Sequence, residues 1–434
     1  MNLLDEILRV DNLTAASNDV IRNKGACGID GMGVELLQEY LHKNRDKLVH
    51  SIRTGHYLPQ AIRGKKIPKS NGKSRTLGIP TVIDRMLQQA VSRVLMPKYE
   101  FVFSNYSYGF RPKRNTHQAI CKSLEYINSG YQNIVEIDLK GFFDEVDHVL
   151  LLQLLYRKVK CRSTMLLLRR WLRAPMYQNG KLTKRRKGVP QGSPISPLFS
   201  NIILHELDKY MENQGMRFVR YADDFSIYCK TKSQAKRQGN AVFMFLRDKL
   251  RLPINRDKSG IRRPINFQIL GYGFVSTYRK GEKGIYQLVV TKKRWQLLKS
   301  KLKEITRKTS PLSFDERITK INQVIRGWVN YFNYASISQK LQEIDSWLRN
   351  RLRYCIWHDW KKPERKRKNL IRLGVKPDLA YAWSRIRMGG WAVAQSPILG
   401  TTITLVRLNK RGYLSIHSLY QKGTKSFYCS SLFL

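Results

Sequence analysis

The residues best suited to chemistry in this chain are Asp223 and Asp224, adjacent acids inside Met216-Arg-Phe-Val-Arg-Tyr-Ala-Asp-Asp-Phe-Ser-Ile-Tyr-Cys229. Two β-rich arms, 218–221 and 225–229, flank them, which predicts a β-hairpin with carboxylates at its tip. Carboxylates crowded into a tight turn repel each other unless a cation neutralises them, so the chemistry on offer is divalent-metal binding. Adjacent acids also occur as plain solvated turn residues, and the pair needs a partner from elsewhere in the chain. Gln132-Asn-Ile-Val-Glu-Ile-Asp138-Leu-Lys140 reads as an apolar strand ending in an acid, and Gly141-Phe-Phe143-Asp144 turns out of it. An acid so placed can line a cleft. A helix cap would look similar, but Asp144 and Asp147 are the better cap candidates.

The elements that must hold these acids belong to a large, strongly basic chain. Its 434 residues allow two or three domains, and 80 Lys+Arg against 32 Asp+Glu give a formal charge of +48. Such a chain repels itself without a polyanion, which makes nucleic acid the leading partner and an anionic membrane the alternative. No stretch reaches the roughly 18–20 apolar residues of a spanning helix. Acids near the N-terminus (Asp5, Glu6) sit where a signal peptide carries cations. The six cysteines (27, 121, 161, 229, 355 and 429) are scattered without a CxxC pair, which fits reduced thiols and excludes an obvious zinc finger. Composition therefore predicts a soluble intracellular nucleic-acid protein.

Along the chain, residues 1–55 read as amphipathic helices interrupted by Lys24-Gly-Ala-Cys-Gly-Ile-Asp-Gly31. That loop could approach a ligand backbone closely or simply connect helices. Residues 63–80 read as a hairpin around Asn71-Gly72 carrying Lys65, Lys66, Lys69, Lys73 and Arg75. Cations on a two-stranded ribbon suit phosphate, although lysines also protect solvated edge strands. Helices are expected over 82–97, 115–128, 161–172, 195–213 and 233–250, with an aromatic-basic loop at Tyr106–Pro112 and a second basic hairpin over 176–186. Gly188-Val-Pro-Gln-Gly-Ser-Pro-Ile-Ser-Pro197 forms a rigid loop leading into a helix N-terminus, a natural place for an anion. Residues 253–258 read as a turn and 267–276 as a strand containing Leu270-Gly-Tyr-Gly-Phe. Near residue 285 the texture changes to three basic amphipathic helices over 291–308, 314–333 and 341–360. The densest cationic run, 361–368, lies between patterned segments, which favours nucleic-acid contact over a solvated tail. The last segment, 370–434, contains Trp383, Trp391 and a β-prone stretch over 401–408.

In this order, Ile-Asp138-Leu-Lys-Gly-Phe-Phe143-Asp, Pro190-Gln-Gly-Ser-Pro-Ile-Ser-Pro, Tyr221-Ala-Asp-Asp and Leu270-Gly-Tyr-Gly-Phe resemble the blocks of reverse transcriptases. The wider pattern resembles the bacterial group II intron-encoded reverse transcriptase/maturases of the type without an endonuclease. Lys24–Gly31 is similar to their N-terminal extension, 67–80 to their first core block, and Ile325-Arg-Gly-Trp-Val-Asn-Tyr-Phe332 to their thumb, or maturase X, signature.

The resemblance implies an α+β right-hand polymerase, with fingers and an antiparallel palm, then an α-helical thumb/X domain and a small C-terminal DNA-binding segment. The expected divisions are 1–60, 61–285, 286–369 and 370–434. It implies Asp138, Asp223 and Asp224 as catalytic ligands of two Mg²⁺ ions, with Mn²⁺ able to substitute. Two cations about 3.5–4 Å apart can activate a primer hydroxyl and stabilise the departing pyrophosphate. Lys69 and Arg75 match cations gripping the incoming triphosphate. Phe143 matches the gate against a ribose 2′-hydroxyl, Gln191 a glutamine against nucleotide and template, and Tyr221 the residue beside the primer end. Asp144 is taken as structural. Nucleic-acid contacts are expected from Lys65, Lys66, Arg111, Arg326, Lys361, Lys362, Arg365 and Arg367.

The implied partners are group II intron RNA, an RNA template with a DNA or RNA primer, dNTPs and a DNA target, with no membrane. The expected setting is the bacterial cytoplasm, at the nucleoid when on target DNA, and the expected functions are reverse transcription, RNA splicing and retrohoming. A relative of the same lineage serving defence, repair or CRISPR spacer acquisition is the alternative. The retained acids argue against a non-enzymatic RNA chaperone. The chain ends at Leu434 without clustered Cys and His, so no endonuclease domain is expected.

Overall fold

The computed structural model describes residues 2–68, 72, 74–277 and 284–430. The chain divides into two units, Met1–Arg263 and Pro264–Leu434.

The first unit holds two four-stranded sheets. One has the order β2-β1-β4-β5, from β1 (Ile62–Pro68), β2 (Ser74–Ile79), β4 (Met176–Gln178) and β5 (Lys181–Thr183). β1 and β2 pair antiparallel from Arg63↔Ile79 to Pro68↔Ser74, which is the expected basic hairpin. Lys69, Asn71 and Lys73 lie outside the described residues. The second basic hairpin closes through Asn179 and Gly180, both left-handed (φ 51° and 77°), the turn that matches strand twist.

The other sheet has the order β6-β7-β3-β8, from β3 (Asn133–Ile137), β6 (Arg217–Tyr221), β7 (Asp224–Cys229) and β8 (Gly260–Arg262). Phe225 to Cys229 are all buried, as in a strand covered on both faces. Core residues also come from Val82–Glu100, Ser196–Asn213 and Lys232–Asp248. Polar caps start several helices. Asn115 and Gln118 form a capping box, and Asp147 accepts from the amides of Val149 and Leu150 at 2.8 and 2.9 Å. The cap expected at Asp144 is not made: Gly141 caps the short helix Phe142–Glu145, and Asp144 lies within it.

In the second unit, β9 (Gln268–Ile269), β10 (Tyr272–Ser276) and β11 (Tyr286–Val290) form a sheet of order β11-β10-β9. The single strand expected over 267–276 folds back at Leu270 and Gly271, both left-handed. Tyr272 packs on Phe332 with ring centroids 5.1 Å apart, and the Tyr331 hydroxyl donates to the Leu270 carbonyl at 2.8 Å. These contacts tie the sheet to the helix Phe314–Phe332 within the unit that begins at Pro264. Arg317, fully buried, donates to the carbonyls of Ile305, Arg307, Ser310 and Leu312 and closes the turn before its own helix.

The β-prone stretch 401–408 forms no strand: it ends the helix Pro397–Thr402 and, after Ile403 and Thr404, starts the helix Leu405–Lys410. Leu399, Ile403 and Leu408 are buried from the first helix, the connection and the second helix, so tertiary packing overrides the strand preference of the threonines. Cys27, Cys121, Cys161, Cys229 and Cys355 are free thiols. Among the described residues no helix is long and apolar enough to cross a membrane.

Candidate active site

The acids are assembled by strand register. β6 and β7 pair from Arg217↔Tyr228 to Tyr221↔Asp224, leaving Ala222 and Asp223 as the turn. β3 pairs with β7 from Asn133↔Cys229 to Ile137↔Phe225, so one further step sets Asp138 beside Asp224. The turn before β8 then fixes Asp138. Its amide donates to Ser259 Oγ at 3.0 Å, its carbonyl accepts from the Asn255 amide at 2.8 Å, and Asn255 Nδ2 donates to its Oδ2 at 2.9 Å. Lys258 Nζ stands 3.6 Å from the same oxygen. In sequence these residues were only polar members of a turn, and nothing there linked Asn255, Lys258 or Ser259 to Asp138.

Asp224 is exposed as a residue, yet its carboxyl is crowded. Desolvation first, then the charges of Asp223, Asp138 and Glu136, push it up to about 6, with Lys258 opposing. A carboxyl raised by burial and by neighbouring acids is one whose charge a bound cation would stabilise. Among the described residues no three acidic, imidazole or thiol groups converge as a ready-made metal cage. The all-oxygen donor set from separate strands nevertheless fits Mg²⁺, which takes a few carboxylates and completes its shell with waters and substrate phosphates.

Phe143 and Gln191 come together on a second feature. With Thr76, Asp144, Gln178 and Arg185 they line a cavity of about 300 Å³. The loop carrying Gln191 is docked by backbone bonds, Val189 N to Phe143 O at 2.6 Å and Gly78 N to Gln191 O at 2.8 Å. A Cβ on Gly192 (φ +113°) would lie 2.9 Å from the Gly78 carbonyl oxygen, so only glycine allows this approach. The helix start after the loop does not open to an anion as expected, because Ile195, Ser196 and Leu198 are buried and Ser196 Oγ donates to Pro190 O. Tyr221 is half-buried at the hairpin's last pair, and Arg75 is exposed on β2 opposite Ile67. Lys69 lies outside the described residues.

Of the residues expected on nucleic acid, Lys65, Lys66, Arg326, Lys361, Lys362 and Arg365 are exposed. Arg367 is half-buried, 5.7 Å over the Tyr381 ring. Arg111 is a correction. It is buried, paired with Glu100 at 2.7 Å, and its remaining donors go to the carbonyls of Ser104 and Ser107. No part of its guanidinium is left for phosphate, because it clamps the loop 104–111. The loop at 24–31 is held internally, Arg85 Nη2 donating to Ala26 O at 2.8 Å.

An antiparallel sheet presenting acids from a hairpin turn and a neighbouring strand end is the palm of a reverse-transcriptase fold, and comparison with known proteins agrees. Residues 67–274 match the family "Reverse transcriptase (RNA-dependent DNA polymerase)", and 295–374 match "Group II intron, maturase-specific domain". The group II intron-encoded protein LtrA of Lactococcus lactis subsp. cremoris is 38% identical over 215 residues, 49% of this chain and 36% of that protein. Protein YkfC of Escherichia coli (strain K12) is 33% identical over 299 residues, 60% of this chain and 78% of that protein. A chain of a solved "Partial Cas6-RT-Cas1--Cas2 complex" is 25% identical, with a TM-score of 0.37, over 57% of this chain and 42% of that one. The chain thus spans little more than a third of LtrA's length and over three quarters of YkfC's. It belongs to the family of group II intron-encoded reverse transcriptase/maturases.

Proposed function

We propose that this protein is an RNA-directed DNA polymerase that also binds a group II intron RNA, aids its splicing and supports its retrohoming. The observation that carries the polymerase reading is the register that sets Asp138 beside the Asp223-Asp224 turn. Asp138, Asp223 and Asp224 would hold two Mg²⁺ ions, which supply Lewis-acid activation of a primer 3′-hydroxyl and neutralise the leaving pyrophosphate. The chain's own residues position. Asn255 and Ser259 orient Asp138, and Lys258 offsets acidic charge. Phe143 packs edge-on against Phe142 at 5.2 Å, a bulky wall suited to excluding a 2′-hydroxyl. Gln191, on its docked loop, faces the same cavity. Arg75 and Lys69 serve the triphosphate. Catalysis of this kind comes from positioning and charge stabilisation, with no protein nucleophile.

The intron-binding half is supported by the maturase-specific match and by exposed cations at 361–365. The setting that suits these partners is the bacterial cytoplasm, with DNA engagement at the target site. The test is template-primed cDNA synthesis with Mg²⁺ by Asp223→Asn/Asp224→Asn. Loss of synthesis with unchanged RNA binding is expected, and retained synthesis would remove the acids from catalysis. Acceleration of splicing of the flanking intron at low Mg²⁺ tests the second half, and no acceleration would refute it.

A further inference from the structure

We propose that Arg220 is a positioning residue that aims the acid-bearing turn through the carbonyl of Ala222. The catalytic consequence rests on the polymerase reading above; the structural one does not. Arg220 lies on β6 with no exposed surface. Its Nε and Nη2 grip both oxygens of Asp208, on the helix Ser196–Asn213, at 2.7 and 2.5 Å. Its Nη1 donates to Asn201 Oδ1 and to the Ala222 carbonyl, each at 3.0 Å. Asn201 Nδ2 in turn donates to the Gly109 carbonyl at 3.0 Å. A Cβ on Gly109 would lie 2.2 Å from the Ala222 amide nitrogen, so that strand of chain forms the floor of the turn. The backbone of Arg220 is fixed as well, accepting from the Tyr108 amide and donating to the Tyr106 carbonyl, both at 2.9 Å.

The turn needs such support. Ala222 sits at φ +58°, in the left-handed region that is strained for a non-glycine residue. Strain of this kind persists only where surrounding structure over-determines it. A guanidinium held at both ends of a carboxylate has no rotational freedom left, so the direction of Nη1 is set by the helix. Capturing the Ala222 carbonyl fixes the peptide plane between Ala222 and Asp223, and with it the root of the Asp223 side chain. A buried ion pair is often no more stabilising than apolar residues of its size. Orientation of the turn accounts for having this one here.

The test uses the full chain with Arg220→Lys, which keeps a charge for Asp208 but cannot also reach Ala222. Hydrogen exchange over 216–229, Mn²⁺ binding by electron paramagnetic resonance, and kcat and KM for dNTP are read together. We expect turn amides to exchange about tenfold faster and kcat to fall about 10²-fold with KM nearly unchanged, as for an ångström-scale misplacement. Mn²⁺ half-saturation should move to higher concentration. Asn201→Ala, which leaves the Arg220–Asp208 pair intact, should give the same pattern in smaller measure and covers a failure of the lysine variant to fold. Folded variants with native exchange overturn the inference, as does a loosened turn with native kcat and Mn²⁺ binding. If the native chain makes no cDNA while the variants still loosen the turn and weaken Mn²⁺ binding, the polymerase reading falls and the positioning role stands.

Discussion

His205 sits inside the helix Ser196–Asn213 with 7% of its surface exposed, edge-on to Phe103, and neither ring nitrogen has a hydrogen-bond partner. Burial, with Lys209 and Arg220 nearby, lowers its pKa from 6.5 to about 4, against the opposing charges of Asp208 and Glu206. The folded state therefore keeps the ring neutral while the unfolded chain takes up a proton as pH falls below 6.5. Stability is unaffected above that point, declines between pH 6.5 and 4, and reaches its full penalty below 4. At about 1.4 kcal/mol per pKa unit the penalty is about 3 kcal/mol. His205→Leu should remove that slope, and at pH 8 it should be neutral or stabilising, because two buried unpaired groups go. Urea unfolding followed by hydrogen exchange of residues 196–213, from pH 4 to 8, measures both. The same helix carries Asn201 and Asp208, so loosening it in acid should also loosen the acid-bearing turn. An unchanged acid slope in His205→Leu, or a ring that titrates near 6.5 by NMR, refutes this account.

Arg111→Ala should lower stability by about 3–5 kcal/mol, since it strands Glu100 and two carbonyls, while leaving the salt dependence of RNA binding unaltered; a flattened salt slope with native stability would return Arg111 to the nucleic-acid surface. Phe143→Ala should raise ribonucleotide incorporation by about tenfold or more, the range of a lost steric sieve, scored as the ratio of kcat/KM for rNTP and dNTP; an unchanged ratio removes the gate. Replacing Lys361, Lys362 and Arg365 together by Gln should reduce the slope of log affinity against log salt by about 2–3, near 0.7–0.9 per phosphate contact. Equal slopes for native and variant protein would place the RNA elsewhere.

Much of the site was legible because its parts are local. The hairpin at 217–229 declares itself by two β-rich arms around a polar turn, and the strand before Asp138 by its apolar run. Family blocks in fixed order marked the reverse-transcriptase and maturase segments, which the matches over 67–274 and 295–374 cover. Misreadings came where local chemistry has two uses. An arginine in an aromatic loop looks the same whether it faces phosphate or, like Arg111, a carboxylate eleven residues back. Threonines at 401–404 favour a strand until Leu399, Ile403 and Leu408 are buried by packing across two short helices.

By itself, then, the sequence determined the elements and the kinds of group they carry, since periodicity, turn residues and charge act over a few residues at a time. It also made a polyanion the expected partner, because no fold can hide a formal charge of +48. Which groups meet was decided only in three dimensions. Asp138 reaches Asp224 through a strand register 86 residues along the chain, and Asn255 reaches Asp138 across 117. The aim of the turn depends on Arg220, Asp208 and Asn201, whose bonds exist only once a helix has packed beneath the sheet. Long-range hydrogen bonds of this kind leave no period or spacing in the chain, so only the packed structure reveals them.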